Sequence, residues 1–597
     1  MTFILSVLYV LLATLCAITS AASDYHERLV LHPLPSSSLL ASFNFRSNAS
    51  IESFEKQHFR YFPRSLGQIL QHAHTKELHL RFTTGRWDAE SWGTRPWNGS
   101  KEGGTGVEIW AWIDAPSGDE AFAKWITLTQ SLSGLFCASL NFIDSTRTTR
   151  PVVSFEPAGD HAPSSQLHLL HGTLPGEVVC TENLTPFLKL LPCKGKAGIS
   201  SLFDGHKLFD ASWQSMSIDV RPVCPKGENE CLVEIEQTID MVLDIDRAKR
   251  PRDNPIPRPV PADQLACDPS KPYNSGDTCY PLEKTSEKGW SLTEVFGRSL
   301  KGACPLTENQ GDGAETICLK VPHEREVYVT AGALETKKPD GFFRCYTLLG
   351  SDPFDLTLPE QQLQTKVPLE EPVLHAERTI IGHGQERGGM RVILTNPSNT
   401  DAVNFIYFET LPWFMRPYLH TLQATITGRG GTQKQVPVSQ IVKDIFYRPA
   451  VDRERGTQLE LILSVPAAST VTLIYDFEKA ILRYTEYPPD ANRGFNVAPA
   501  VIRLLDNSNV SSSPIYIRTT SLLLPLPTPD FSMPYNVIIL TSTVMALAFG
   551  SIFNLLVRRF VPADQVAAFT ANTLTARIVG KFVGIKDKLR GKAVKVE

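Results

Sequence analysis

The sequence contains none of the common motifs that mark a catalytic centre or a bound metal. Its 597 residues include no CxxC pair, no GxSxG nucleophile elbow, no HExxH zinc motif and no GxxxxGKS/T phosphate loop. The 14 histidines are scattered, and His72 with His74 is too small a cluster to define a metal site. His171 precedes Cys180 by nine residues, whereas the caspase spacing is about 50, so this pair predicts a loop histidine and a structural cysteine. We expect no catalytic residue, metal or cofactor in this chain.

The sequence also lacks an excess of charge. Its net charge is −4, with 42% hydrophobic and 20% charged residues. This composition excludes collagen, a wholly disordered chain and a polytopic membrane protein, and it gives no support for nucleic-acid binding, which needs a basic surface. The length corresponds to about four domains at roughly 150 residues each. Because signals, linkers and membrane segments inflate that figure, we expect two or three.

Long apolar runs are confined to the two ends of the chain. Residues 1–22 carry no charged side chain, are apolar from Phe3 to Leu15 and end in small residues at 20–22. This pattern predicts a cleaved secretory signal peptide. An uncleaved anchor is the alternative, since no Lys or Arg precedes the apolar run.

The second apolar run, Val537–Val557, has 21 residues, enough to cross a hydrocarbon core of about 30 Å as a helix. We expect a transmembrane helix at 534–557 and a basic tail at 558–597 that carries nine Lys and Arg against three Asp and Glu. The tail charge is thus +6, and the rest of the chain carries −10 by difference from −4. The positive-inside rule then predicts a type I membrane protein with a cytosolic tail and a lumenal bulk.

One face of the predicted membrane helix carries small or polar residues at four-residue steps, namely Ser542, Ala546, Gly550 and Asn554. Small residues let a neighbouring helix approach closely, and the Asn554 amide can hydrogen-bond across such a contact. We expect this face to pack against other membrane helices. The alternative is a passive anchor in which these residues occur by chance.

Cysteine usage agrees with a lumenal location. Apart from Cys16 in the signal segment, an even set of ten precedes the membrane helix and predicts disulfides: Cys137, Cys180, Cys193, Cys224, Cys231, Cys267, Cys279, Cys304, Cys318 and Cys345. Their connectivity stays open. Four sequons are N-glycosylation candidates, Asn48, Asn98, Asn183 and Asn509, and Pro186 makes Asn183 the poorest of them.

Most of the lumenal part shows the alternation of apolar residues that is typical of strands. The pattern is clear at 78–82, 107–113, 233–245, 459–465 and 471–477. In the third of these runs the opposite side carries Glu234, Glu236, Asp240 and Asp244, which predicts a half-buried strand or hairpin. One helix is predicted at Asp119–Leu135. The predicted class is β-rich α+β, with lumenal β-sandwich-like domains and a single C-terminal transmembrane helix.

A change of composition divides the lumenal part. We expect an N-terminal lumenal domain at 23–245, a proline-rich insertion or linker at 246–289 and a C-terminal β-rich lumenal domain at 290–533. The insertion opens with RAKRPRDNPIPRPVP, which cannot supply a core. Its Cys267 and Cys279 are placed to close a local loop.

Several long phrases resemble the PIG-T family, the T subunit of the glycosylphosphatidylinositol (GPI) transamidase. They are GLFCASLNFIDST (134–146), VVCTENLTPFLKLLPCKGKAG (178–198), RPVCP (221–225), TEYPPDANRGFNV (485–497) and PTPDFSMPYNVI (527–538). The phrases keep their order, and the resemblance covers nearly the whole chain. The proline-rich insertion looks like a departure from the family core.

The resemblance implies a non-catalytic subunit of the endoplasmic reticulum membrane that stabilises the transamidase and holds its caspase-like catalytic subunit. That enzyme removes a C-terminal signal from a proprotein and joins the new carboxyl end to the ethanolamine of GPI. The family's disulfide to the catalytic subunit maps, through VVCTENLTP, onto Cys180. The alternative for Cys180 is an internal bridge, for instance to Cys193. If Cys180 bonds a partner, nine lumenal cysteines remain, so at least one more is free or paired outside the chain.

The resemblance also implies contacts with the other membrane subunits of the complex and a contribution to the site where the GPI lipid enters. We expect that role near the 542–554 face and the DFSMPYN segment that precedes it. A hypothesis of another class is a stand-alone lumenal or cell-surface receptor, lectin-like protein or hydrolase with one anchor. A hydrolase would be active as a purified ectodomain, whereas a scaffold would be inert alone but required for recovery of its partners.

Overall fold

The computed structural model describes residues 24–593 except for 163–165, 225–230, 251–264, 268–278, 282–285, 308–315, 331–332, 349–351, 363–368, 383, 385, 489, 491–492, 506–513, 528–531, 559 and 572. The predicted signal peptide, the Asn509 sequon and most of the 246–289 insertion therefore lie outside the described residues. The chain divides into two units, Met1–Pro527 and Thr528–Glu597.

The N-terminal sheet is the largest element of the first unit. Its eleven strands are, in spatial order, Ala333–Lys337, Phe343–Leu348, Thr316–Lys320, Tyr25–Leu34, Ser38–Ser50, Leu232–Asp244, Trp213–Val223, Thr75–Thr84, Gly106–Asp114, Leu167–Leu174 and Thr148–Thr149. Tyr25–Leu34 pairs in parallel with Thr316–Lys320, with Leu29 opposite Ile317. The other neighbours pair antiparallel.

Helices cover one face of this sheet. The long helix, Gly118–Phe136, agrees with the predicted helix and starts at Ser117, whose hydroxyl accepts a hydrogen bond from the Glu120 amide. Trp125 and Leu132 on its buried side join the sheet residue Leu80 in one apolar core. The other α-helices among the described residues of this unit are Ile51–Glu55, Arg64–His72, Ala89–Trp92, Thr181–Leu190, Gly205–Phe209, Ile245–Ala248, Leu292–Phe296 and Val438–Ile441, and the 3-10 turns there are Pro96–Gly99, Ser139–Phe142, Ile199–Leu202 and Tyr484–Glu486.

The other face of the N-terminal sheet is polar and yet buried, which corrects one prediction. Leu232–Asp244 forms a strand as predicted, but Glu234, Glu236 and Asp240 on its polar side are buried. The Lys101 ammonium lies against Glu236, and Trp97 Nε1 donates to Asp240 Oδ1 over 3.1 Å. The strand is therefore covered on both sides, because charged and polar partners from other segments satisfy its acids.

A β-sandwich forms the C-terminal part of the first unit. One sheet contains His375–Ile381, Arg387–Asn396, Ser469–Lys479, Met415–Gly428 and Gln433–Val436, and the other contains Val442–Arg448, Thr457–Val465, Val403–Leu411, Val501–Leu504 and Tyr516–Arg518. Ser469–Lys479 shows why an alternating pattern predicts the strands of this sandwich. Every second residue, namely Val471, Leu473, Tyr475 and Phe477, points into the core that the two sheets share.

Minor strands complete the first unit. The pairs are Leu265–Cys267 with Cys279–Pro281, Ser286–Glu287 with Gln361–Gln362, and Phe495–Val497 with Leu522–Leu524, and a three-stranded sheet holds Trp290–Ser291, Leu356–Leu358 and Tyr328–Val329.

The sequence predicts a domain boundary at residue 290. In the structure, the chain passes from the N-terminal sheet to the sandwich later than that. Residues 316–348 add three strands to the N-terminal sheet, and the sandwich begins at His375. The two ends of the insertion meet, since Lys249 Nζ donates to the Gly289 carbonyl over 2.7 Å. The insertion thus interrupts the part of the chain that forms the N-terminal sheet, because residues after the insertion add strands to the same sheet.

The second unit consists of helices. Ser532–Val557 contains the predicted membrane segment, and Tyr535–Val557 is long and apolar enough to span a bilayer, with a mean hydropathy of 1.9. A short helix, Val566–Ala571, and the tail helix, Leu574–Ala593, follow.

Candidate functional site

Eight of the ten cysteines that follow the predicted signal peptide form four disulfides within the chain. The pairs are Cys193–Cys304, Cys224–Cys231, Cys267–Cys279 and Cys318–Cys345. The Cys267–Cys279 bond closes the local loop anticipated in the insertion. Because Cys193 is bonded to Cys304, the alternative bridge between Cys193 and Cys180 is excluded in this structure.

The two remaining cysteines, Cys137 and Cys180, carry free thiols at the ends of two helices. Cys137 follows the last residue of the long helix and adopts a left-handed conformation with φ 51° and ψ 39°. Cys180 directly precedes the helix Thr181–Leu190, which we call the Cys180 helix, and its backbone is extended. A non-glycine residue with positive φ is uncommon, so the surrounding structure holds Cys137 in place.

Asn183 connects these two helix ends. Its side-chain Oδ1 accepts a hydrogen bond from the Cys180 amide over 2.9 Å. Its Nδ2 donates to the Phe136 carbonyl over 2.9 Å and to the Cys137 carbonyl over 3.3 Å. One carboxamide thus satisfies a free N–H at the start of one helix and carbonyls at the end of the other.

The geometry at Asn183 argues against its use as a glycosylation site. The residue is 1% exposed, and its amide nitrogen is engaged with two carbonyls, so the side chain cannot carry a glycan in the folded protein. Asn98 is exposed, and Asn48 is half-buried with Oδ1 accepting from the Asp24 amide over 2.7 Å. Sequence reasoning missed the structural role of Asn183, although its place three residues after Cys180 matches the spacing of a capping box.

Exposed apolar side chains flank the two thiols. Val178 is 78% exposed, and Phe142, in the turn after Cys137, is 61% exposed. The Glu177 carboxylate accepts from the Ser139 amide over 2.8 Å and so joins the two segments. Large apolar groups left in water beside free thiols are typical of a surface that another protein covers. We refer to Cys137, Phe142, Val178 and Cys180 as the thiol surface.

A second cluster of titratable groups lies between the N-terminal sheet and the sandwich. His79 bridges Glu77, at 2.7 Å, and Asp219. Arg81 and Lys101 also contact the Asp219 carboxylate, at 2.6 and 2.8 Å. Each carboxylate in this cluster is paired with a cation or a histidine.

The electrostatics of this cluster favour a structural role. Burial opposes ionisation of Asp219, but the charges of Arg81 and Lys101 outweigh it and hold the pKa well below its usual range. Burial likewise opposes ionisation of Glu77, yet hydrogen bonds from His161 and His79 lower its pKa to about 2. A carboxylate held ionised near neutral pH cannot act as a general acid there.

Across the same layer, salt bridges and hydrogen bonds attach the sandwich to the N-terminal sheet. Arg518 Nε of the sandwich lies 2.8 Å from Glu108 Oε2 of the sheet. The buried Glu460 carboxylate accepts from the amides of residues 152–154 over 2.8 to 3.0 Å. These bonds join the two parts of the first unit through groups shielded from water.

A cavity of about 810 Å³ also lies between the N-terminal sheet and the sandwich. Charged side chains in its lining pair with one another, as Arg95 does with Glu102 at 2.5 Å and Arg86 with Glu377 at 3.6 Å. None of its described lining residues belongs to the long helix or the Cys180 helix, so it is separate from the thiol surface. Within the part of the chain that the structure describes, no three His, Cys, Asp or Glu side chains group as metal ligands.

Comparison with known proteins decides the family. Residues 9–583 match the family model described as the Gpi16 subunit, GPI transamidase component. The chain is 41% identical over 590 residues to the GPI transamidase component GPI16 of Saccharomyces cerevisiae, covering 95% of this chain and 93% of that one. It belongs to the Gpi16/PIG-T family of GPI transamidase components. The human GPI-anchor transamidase component PIGT is 35% identical over 591 residues, covering 91% of this chain and 92% of its own.

The Gpi16/PIG-T match includes both cysteines of the thiol surface, the membrane helix and half of the tail helix. The PIG-T homolog of Schizosaccharomyces pombe is 35% identical over 566 residues, covering 92% of this chain. A collagen-binding subdomain of the Enterococcus faecalis surface protein ACE aligns with 26% of the chain at a TM-score of 0.18 and 10% identity, too low to bear on the fold.

On the membrane helix, Ser542, Ala546, Gly550 and Asn554 lie on successive helical turns, as the sequence predicts. A Cβ added at Gly550 would meet no described atom within 4 Å beyond the neighbouring backbone of its own helix. The described part of this chain therefore leaves room at Gly550, and its packing against partner helices stays a prediction.

Proposed function

We propose that this chain is the non-catalytic scaffold subunit of the GPI transamidase and holds the caspase-like catalytic subunit through a disulfide at Cys180. The observation that carries this assignment is the free Cys180 thiol beside exposed Val178 on the thiol surface. The family membership supports a place in the complex and in the endoplasmic reticulum membrane. We further propose the type I topology, with the first unit lumenal and the tail cytosolic.

The bond to the partner forms by oxidation of two thiols, which releases two protons and passes two electrons to the oxidising system of the lumen. Burial of Val178 and Phe142 would supply apolar contact around the bond, and the bond then keeps the partner at a high effective concentration. The scaffold thus needs no catalytic group of its own. Its role is to hold a protease in place while that protease exchanges a peptide bond for a bond to GPI.

The test compares Cys180→Ser with the matched control Cys137→Ser, the other free thiol. On non-reducing gels the unmodified protein should give a heterodimer band that reductant removes. Cys180→Ser should abolish the band and leave part of the association in mild detergent, while Cys137→Ser should keep the band. Persistence of the band in the Cys180→Ser variant would overturn the assignment.

Mass spectrometry of the co-purified chains completes the test. A caspase-like protease in the reducible band, joined by a peptide crosslink to Cys180, supports the scaffold role. Recovery of a monomer without partners would instead favour the stand-alone receptor or hydrolase.

A further inference from the structure

The tail helix has an apolar face that no described part of the chain covers. Leu574, Ile578, Phe582 and Ile585 follow one another at spacings of four, four and three residues and so share one face of the helix. All four are exposed, Leu574 by 77% and Phe582 by 69%. A helix of this kind needs an apolar partner, because its stability in water otherwise rests on weak local interactions.

Cations border this face. Arg577 and Lys581 lie along one edge of it and Lys586 along the other, while Gly584 and Gly580 follow beyond Arg577, away from the face. Lys and Arg can bury their aliphatic stems beside an apolar surface and keep their charges among polar groups. An apolar stripe edged by cations is the arrangement found in helices that lie in the headgroup region of a bilayer.

The helix is also tethered close to a membrane. Only residues 558–573 separate it from the last residue of the membrane helix, Val557. At no more than about 3.6 Å per residue, this connection keeps the tail helix within roughly 58 Å of the bilayer exit point. The tail carries a net charge of +6, which complements the negative surface of a cytosolic leaflet.

We propose that the tail helix lies flat in the headgroup region of an anionic membrane surface, with Ile578 and Phe582 inserted among the acyl chains. The proposal rests on the cytosolic placement of the tail given under Proposed function. The helix then acts as a second membrane contact beside the transmembrane segment. Anionic lipid, through the flanking cations, sets how strongly it binds.

The test uses the full chain in nanodiscs of phosphatidylcholine, alone or with about one-third phosphatidylserine, with hydrogen exchange followed over residues 574–593. Exchange should slow by about tenfold or more in the anionic discs, because a bound helix exchanges through its unbound fraction. Ile578→Glu combined with Phe582→Glu should remove this protection. Gly580→Glu combined with Gly584→Glu adds the same charge beyond Arg577, away from the apolar face, and should retain most of the protection.

Equal exchange in the two kinds of disc, or equal loss in the two double variants, would overturn the proposal. Nanodiscs expose both bilayer faces, so this result does not depend on topology. Topology is read separately from protease digestion of a C-terminal tag in sealed microsomes. Digestion supports the cytosolic placement, and a protected tag would overturn that placement while leaving the lipid result to stand by itself.

Discussion

Asn183 holds two helix ends together with a single side chain. Its carboxamide bonds the Cys180 amide and the Phe136 and Cys137 carbonyls, and so fixes the backbone at both free thiols. The resemblance to the PIG-T family identified Cys180 as a candidate for the disulfide to a partner. The role of Asn183 was missed, because a sequon is ordinarily taken as an exposed site. The neighbours that bury this side chain come from a helix more than 40 residues earlier in the chain, so the local sequence pattern around Asn183 does not indicate them.

We expect Asn183→Ala to destabilise the first unit by about 1–3 kcal/mol, because it leaves buried backbone groups without partners. Thr185→Ala is the matched control, since it also destroys the sequon but replaces an exposed hydroxyl that bonds only its own helix. Thermal unfolding of the full chain should show a lower midpoint for Asn183→Ala alone. Equal shifts in both variants would assign the effect to a lost glycan instead.

At the scale of single elements, prediction succeeded where one side of a strand or helix meets a core. The strand Ser469–Lys479 and the long helix Gly118–Phe136 were both predicted from periodicity, since their apolar sides face the interior and their other sides face water. Leu232–Asp244 was interpreted less well. Its acids alternate as in a solvated strand, but Lys101 and Trp97 from a distant segment cover them.

The membrane helix is the element on which partner packing can be tested. Gly550→Leu places a large side chain on the predicted packing face and should lower recovery of the other membrane subunits in mild detergent. Ala548→Leu enlarges a small residue on the opposite face and should leave recovery unchanged. Quantitative mass spectrometry of purified complexes measures both. Equal recovery in the two variants would favour a passive anchor.

For the molecule as a whole, the charged layer between the N-terminal sheet and the sandwich makes stability depend on pH. Asp240, bonded to Trp97, is buried in this layer, and burial raises its pKa to about 7 although hydrogen bonds from Ser42 and Trp97 act in the opposite direction. The unfolded chain ionises this group near pH 4. Between these two values the folded state binds the extra proton, so stability falls as pH rises from about 4 to about 7.

We expect Asp240 to raise the melting temperature at pH 5 relative to pH 7.5, against the opposite effect of His32, whose pKa burial lowers to about 4, and Asp240→Asn to remove this contribution. Burial also raises the pKa of Glu27 to about 7, so in Asp240→Asn part of the slope, the change of melting temperature with pH, should remain. Asp244→Asn, at the exposed end of the same strand, is the control and should melt with the slope of the unmodified chain. An unchanged slope in Asp240→Asn would contradict the assignment.

The closed base of the proline-rich insertion has a practical consequence. Lys249 and Gly289 meet at its neck, and the Cys193–Cys304 bond joins the chain on either side of it. Each doubling of the length of such a loop costs only about 0.6 kcal/mol of closure entropy. A fluorescent or affinity domain inserted within 251–288 would connect to two chain ends that are already held together. It would allow the intact complex to be labelled or purified at a position distant in sequence from the thiol surface and from the predicted membrane helix.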